Sequence, residues 1–264
     1  MIIIKNEQEL QKIREAGHRL AHIVENVKSI LVVGASTLEI DAWIESELKK
    51  SDLVSQSQGY HGYRHVSCIS LNNEIVHGIP SAKKILQEGD LVTVDVCAGW
   101  QGYCADMART FIIGEGSAQA CKLIEVATNS LDKGIEKAVV GGRVTNISAA
   151  VQQEVEKYNF SVIRDFCGHG IGKKMHEEPE ILNYGPPGRG AVLQAGMVFA
   201  IEPMIAAGGY DVKLLADGWT AVTFDGSLAA HVEDTVIITP KGPEVVTRLH
   251  ETTQALPSKG WEAA

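Results

Sequence analysis

No run of apolar residues in the sequence approaches the roughly 20 that a membrane-spanning helix needs, and the longest N-terminal stretch, Ile2 to Ile4, gives way at once to Lys5 and Asn6. That stretch is too short for the apolar region of a secretory signal, so no membrane association and a cytoplasmic location are expected. Cysteine is scarce and poorly spaced for structural use: Cys68, Cys97, Cys104, Cys121 and Cys167 make five, an odd number without a C-x-x-C pair. Neither a disulfide framework nor a zinc ribbon follows from such a pattern; a reduced cytosolic protein fits it. Positive charge is also in short supply, with 24 Lys and Arg against 33 Asp and Glu and a net charge of -9. A DNA-binding protein normally shows a basic patch or stripe, so no DNA partner is expected. No Pro/Gly/Ser-rich linker divides the 264 residues, 45% of which are hydrophobic, and the chain is long enough to bury a large core.

What is present is a chain that repeats itself. A helix is expected from about Glu7 to Leu31, where Asn6 and Glu9 have capping-pair spacing and Leu10, Ile13, Leu20, Val24, Val27 and Leu31 share one face. Gly34 stops it, and a second helix is expected from about Leu38 to Lys50. The strand-like runs HVSCISL and LVTVDVCAG follow. The order then recurs: helices from about Gln119 to Val139 and Asn146 to Tyr158, separated by Gly141, then SVIRDF and MVFAIEP. VVGASTLEIDAWIESEL from Val32 aligns without gaps on VVGGRVTNISAAVQQEV from Val139, and the same offset places Asp95 on Glu202. Matching glycines and acids at one fixed offset exceed what amphipathic periodicity alone requires. The pattern predicts an α+β domain built from two pseudo-symmetric halves, about residues 7–115 and 116–249, facing each other across a shared cleft.

Several acids sit inside apolar strands. Asp95 lies in LVTVDV, Glu202 in MVFAIEP, Glu233 just before TVIIT, and Asp106 just before MARTFII. A carboxylate in a half-buried strand is costly unless it is paired or bound to a cation. GWQGY offers a turn between Asp95 and Asp106, which predicts a hairpin with both acids close together. His169, among the glycines of CGHGIG where the backbone can bend tightly, completes the set. Any one of these residues has a duller role as a salt-bridge or turn residue. Together, four carboxylates and one imidazole form a hard, oxygen-rich set suited to two divalent ions of the Mn, Fe, Co or Zn kind. Such a pair polarises a carbonyl and acidifies a water, chemistry that supports hydrolysis of an amide or a phosphoester.

With those residues in place the chain resembles the methionine aminopeptidases of the pita-bread fold. The resemblance rests on GYHGY, CISLNNEIVHGIP, VDV followed by Asp106 eleven residues after Asp95, CGHGIG, MHEEP, MVFAIEPM and DGWTAVTFDGSLAAHVEDTV. These run in the family's order across roughly residues 4 to 245; the segment beyond about Leu249 lies outside it and is expected to fray. The resemblance implies that Asp95, Asp106, His169, Glu202 and Glu233 hold the metals, with Asp106 and Glu233 bridging. It further implies that a hydroxide shared by the metals attacks the first peptide carbonyl, that Glu202 manages its proton, and that His176 steadies the developing oxyanion. His77 would contact the peptide on its leaving side. Tyr60, His61, Tyr63, Cys68, Met175 and Trp219 would surround the methionine side chain, a sensible wall for a polarisable thioether. The implied function is a cytoplasmic, monomeric hydrolase of nascent chains near the ribosome, favouring a small second residue, with Co, Mn, Fe or Zn as cofactor.

Four positions depart from the family's pattern. Cys97 stands where a hydroxyl residue is usual, Met175 where Phe is common, Val76 where several members have Cys, and Met107 where a small polar residue is usual. The alternatives are an Xaa-Pro peptidase of the same fold, which would usually carry a further N-terminal domain of over a hundred residues, and a fold relative without metals that acts as a binding module. A two-metal phosphoesterase fits the ligand chemistry, but the motifs lack an Arg- or Lys-rich neighbourhood for phosphate.

Overall fold

The first helix starts where the sequence supplies a cap. In the computed structural model, which describes residues 1–249, Asn6 accepts from the Glu9 amide while Glu9 reaches back to the Asn6 amide, and α1 runs Glu7–Asn26. The expected fraying segment, residues 250–264, lies outside the described residues. The same reciprocal cap, Ser36 with Glu39, opens α2 (Thr37–Lys50). The later helices are α3 (Ala118–Ile135) and α4 (Val144–Glu156). Both α1 and α3 end earlier than their apolar periods suggest. After each, the backbone tightens into three-residue turns, with Ile30 N bonded to Val27 O and Ala138 N to Ile135 O. Val27 and Ala138 remain buried beyond the α-helical residues, because periodicity reports burial rather than hydrogen-bond ring size.

Fifteen strands complete the described residues. The first half holds β1 (Val54–Ser55), β2 (Cys68–Leu71), β3 (Glu74–Val76), β4 (Leu91–Trp100) and β5 (Tyr103–Ile112). The second holds β6 (Ser161–Val162), β7 (Gly168–Gly170), β8 (Glu177–Ile181), β9 (Val198–Ile201) and β10 (Met204–Ala206). It continues through β11 (Val212–Leu214), β12 (Ala221–Thr223), β13 (Ala229–His231), β14 (Asp234–Thr239) and β15 (Gly242–Val245). SVIRDF therefore yields only a two-residue strand. The main sheets are β1-β4-β2, with β5 also on β4, and β15-β14-β9-β7-β8; all pairings are antiparallel. Two three-stranded sheets, β13-β10-β6 and β11-β12-β3, lie beside them. Among the described residues no helix is long and apolar enough to cross a membrane.

The repeat seen in the sequence has a backbone counterpart. Ser36 bridges Ile85 and Arg143 bridges Val192, two bridges related by the offset that carries Val32 onto Val139. Gly34 N bonds to Leu86 O, and Gly141 N to Leu193 O. Gly34 and Gly141 both take positive φ, 91° and 84°, a conformation open to glycine at little cost. Each unit buries its helices on its own sheet. Leu20 and Val24 of α1 and Ile40 and Ile44 of α2 pack with Val94 and Met107. Leu123, Leu131 and Val151 of α3 and α4 pack with Phe199, Ile201 and Val236. The opposite faces of the two sheets meet at the centre, where Ala108 of β5 and Glu233, just before β14, exchange backbone hydrogen bonds.

Candidate metal centre

The β4–β5 hairpin turns on Gln101 and Gly102 alone, both with positive φ, as a tight two-residue turn demands. Its register puts Cys97 opposite Asp106 and Asp95 opposite Ala108. Side chains alternate along a strand, so Asp95 and Asp106 lie diagonally on one face, the face turned away from α1 and α2. Met107, paired with Val96, points the other way into the helix-packed core and is fully buried there. The departure at Met107 thus does not bear on the site, whereas that at Cys97 does. Asp106 is further held by Thr235 of β14, whose Oγ accepts from the Asp106 amide (2.9 Å) and donates to its carbonyl (2.8 Å).

His169 occupies strand β7, between β8 and β9, rather than a tight bend. Its flanking glycines are needed for close approach. A Cβ on Gly168 would collide with the Ala200 carbonyl, and one on Gly170 with the Glu178 carbonyl. The His169 Nδ1 lies 2.9 Å from the Gly170 carbonyl, which fixes the proton there and leaves Nε2 free for a ligand. Glu202 follows β9, where Pro203 interrupts the ladder, and its carbonyl accepts from Asn183 Nδ2 at 2.9 Å. The Glu233 carbonyl accepts from Arg109 Nη1, and Arg109 also pairs with the fully buried Asp234 at 2.6 Å.

These elements bring two groups of donor atoms together. In Asp106, His169 and Glu233, and again in Glu202, His231 and Glu233, one donor atom per residue lies within 4.8 Å of the others. Glu233 belongs to both. Asp95 lines the same cavity outside either trio. Burial drives Asp95, Glu202 and Glu233 well above the usual carboxylate range, with the neighbouring carboxylates adding to it. Burial likewise pushes Asp106 up to about 6. His169, desolvated and close to His176, is pushed down to about 4, and buried His231 to about 3. Asp106 Oδ1, Glu233 Oε1 and both ring nitrogens of His231 are buried without a hydrogen-bond partner among the described residues. Orphaned polar atoms are expensive, and so many at one point fit divalent cations, which would satisfy carboxylate oxygens and imidazole nitrogens at once. Sequence reasoning missed His231; its only sequence signal is its place two residues before Glu233.

Above the carboxylates opens a cavity of about 820 Å³. Every residue expected at the site lines it except His61. His61 takes a positive φ (45°), and its exposed ring meets that of Tyr60 edge-on at 4.4 Å between centroids. Tyr60 Oη lies 3.0 Å from His176 Nδ1, and the His176 ring meets His169 edge-on at 4.4 Å. Burial and then His61 lower the His176 pKa. His77 takes φ 59°, strained for a residue with a side chain, while Gly78 packs directly against the backbone of Ile69 and Ser70. Burial and then His176 hold His77 at about 4, and its ring stands 5.4 Å from Phe166 and 6.4 Å from Trp219. Tyr63 packs on Trp219 at 4.9 Å and donates to the Ser67 carbonyl at 2.9 Å. Trp219 is presented by a turn in which Asp217 accepts from the Trp219 and Thr220 amides. Cys68, opposite Asp95 on β4, Met175 and Val76 contribute to the wall, as do Phe166 and Met204, neither of which sequence reasoning had placed there.

The model of metallopeptidase family M24 matches residues 11–240 of the chain. The sequence is 48% identical over 247 residues to the methionine aminopeptidase of Clostridium acetobutylicum, covering 94% of this chain and 99% of that one. It is 45% identical over 249 residues to methionine aminopeptidase 1 of Bacillus subtilis, covering 94% and 100%. The crystal structure of methionine aminopeptidase from Thermotoga maritima is similar with a TM-score of 0.93 at 41% identity, across 94% of this chain and 100% of that one. Prolidase from Pyrococcus furiosus (TM-score 0.77, 24% identity, 94% of this chain and 66% of that one) shares the fold alone. The α+β architecture is the pita-bread arrangement that the motifs led us to expect.

Proposed function

Because the chain belongs to metallopeptidase family M24, we propose that it is a methionine aminopeptidase, a metal-dependent exopeptidase that removes the N-terminal methionine from peptides and proteins. The observation that carries the reading is the convergence of two donor trios sharing Glu233 on the wall of a cavity with an aromatic, sulfur-bearing lining. We read the cofactor as two divalent cations of Co, Mn, Fe or Zn, which Asp95, Asp106, His169, Glu202 and Glu233 would hold. Bound there, such ions supply Lewis acidity for the scissile carbonyl and acidify a water.

The chain's own residues do the rest. The methionine side chain fills the space among Tyr63, Cys68, Phe166, Met175 and Trp219, where a flexible thioether makes good dispersion contacts. Tyr60 and His61 flank the mouth, although His61 has no face on the cavity. Glu202, whose raised pKa suits proton exchange, takes the proton of the attacking water and passes it to the departing amine. When the Tyr60 hydroxyl donates to His176 Nδ1, the proton sits on Nε2, which then donates to the developing oxyanion. His77 contacts the peptide on the leaving side. A buried ion pair between Lys5 and Glu177 (2.8 Å) anchors the strand that follows His176.

We further read residues 7–115 and 116–249 as two halves of one catalytic domain, supported by the matched backbone bonds at the repeat offset. Nascent chains near the ribosome, met by a cytoplasmic monomer, are the setting this function implies; co-sedimentation with ribosomes and solution mass test those two points. The Xaa-Pro reading is weaker, since the enzymes sharing 38–48% of the sequence are methionine aminopeptidases. The deciding assay measures methionine release from Met-Ala-Ser by metal-stripped protein with Mn, Fe, Co or Zn added back. Release that requires metal and is absent for Met-Lys-Ser and Gly-Pro is the expected result. No release with any metal would refute the reading in favour of a binding module.

A further inference from the structure

His231 is 2% exposed at the end of β13, and neither ring nitrogen has a hydrogen-bond partner among the described residues. A buried imidazole left wholly unpaired needs an explanation. Its Nε2 lies 3.7 Å from Glu202 Oε2 and 3.8 Å from Glu233 Oε2. Both separations are too long for hydrogen bonds. They are, however, what two ligands of one ion would show. Donors about 2.1 Å from a shared cation and roughly 90–130° apart stand about 3.0–3.8 Å from each other. The His169 Nε2–Glu202 Oε1 separation, 3.4 Å between two residues already assigned to the metals, falls in the same range.

The backbone fixes where the ring points. Thr110 of β5 donates its hydroxyl to the His231 carbonyl at 2.8 Å and accepts from the His231 amide at 3.2 Å. The same kind of threonine clamp holds Asp106 through Thr235. On the other side, Met204 pairs with His231 in the β10–β13 ladder. The ring is therefore set against Glu202 and Glu233 by two independent strands.

We propose that His231 is a sixth protein ligand of the metal centre, its Nε2 sharing a cation with Glu202 and Glu233. The inference rests on the proposed metalloenzyme reading and adds to the five ligands assigned there. It gives the centre two imidazoles, one in each donor trio, in place of a single histidine. A second nitrogen donor biases that position towards Fe, Co or Zn and away from Mn, which favours oxygen.

The direct test is a crystal structure of the native protein soaked with Co(II) and located by anomalous scattering. The expected result is His231 Nε2 about 2.0–2.3 Å from one Co(II) ion. Cations bound by the other residues with Nε2 beyond about 3 Å overturn the proposal while leaving the function untouched. The companion measurement is calorimetric titration of metal-stripped protein with Co(II), comparing native chain, His231→Gln and His231→Asn. One Co(II) equivalent should weaken by more than about 100-fold, beyond the roughly 10–100-fold expected of an outer-sphere partner, with the other equivalent nearly unchanged. Affinities within about threefold of native in both variants would refute it. If a variant does not fold, the native crystal decides. A native chain that binds no Co(II) at all would overturn this proposal together with the metalloenzyme reading, which separates that failure from the others.

Discussion

Thr235→Val should cost the protein both stability and metal affinity, although Thr235 has no expected contact with metal or substrate. Its fully buried hydroxyl holds both backbone groups of Asp106, which lies in the other half of the chain. Valine has nearly the same shape but no hydroxyl, so the Asp106 amide and carbonyl lose that partner inside the protein. Each orphaned buried group costs about 1–3 kcal/mol, or about 2–6 kcal/mol for the two. For a domain of this size, at about 2–4 °C per kcal/mol, the melting temperature of metal-stripped protein should fall by about 4–24 °C. Loosening a ligand's backbone should also weaken divalent metal binding by about 10–100-fold. Differential scanning calorimetry and Mn(II) titration read the two effects. Thr235→Ser, which keeps the oxygen and loses one methyl, should cost about 1 kcal/mol and spare metal binding. A valine variant that melts like the serine variant and binds Mn(II) like the native protein would refute the claim that this clamp positions Asp106.

Glu202→Ala should abolish methionine release while the protein still folds; turnover at the native rate would remove Glu202 from proton transfer. His77→Ala should lower kcat by about 100-fold, the low end of the range for removing a positioned catalytic group, with a melting temperature within a few degrees of native. A lower melting temperature with unchanged kinetics would instead make His77 a structural residue. The stabilisation conferred by metal should grow with pH. Burial raises the folded-state pKa of Asp106 to about 6, above its unfolded value near 4, so in metal-free protein its contribution is present below about pH 4 and lost as pH rises through 6. Cations bind the ionised form, so the gain in melting temperature on adding Mn(II) should be larger at pH 7.5 than at pH 5, with protons released on binding. Equal gains at both pH values would contradict the burial argument.

Much of this could be read along the chain because it is local. The Asn6–Glu9 cap, the two-residue turn after Trp100 and strand alternation are short-range rules, and they place Asp95 and Asp106 on one face without tertiary information. The fixed offset between the two halves is likewise visible in the letters, and it pairs Asp95 with Glu202. Other features were legible only in part. Apolar periodicity carried α1 and α3 too far, since Val27 and Ala138 are buried in tighter turns. The glycines of CGHGIG suggested a bend, whereas they are small because β8 and β9 press on both sides of His169.

The sequence by itself thus determined which strands carry carboxylates and which faces they share, because alternation, capping and turn geometry act over a few residues. The tertiary structure decided what those carboxylates meet. Glu233 joins both donor trios because its backbone pairs with Ala108, in the other half of the chain. Nothing in the local pattern singles out His231, which the clamp from Thr110 sets against Glu202 and Glu233. His61 sits in a matching motif, and the fold sets its exposed ring edge-on against Tyr60 rather than among the residues that line the cavity. Contacts between strands so distant in the chain depend on how two sheets close on each other, and no short-range periodicity records that.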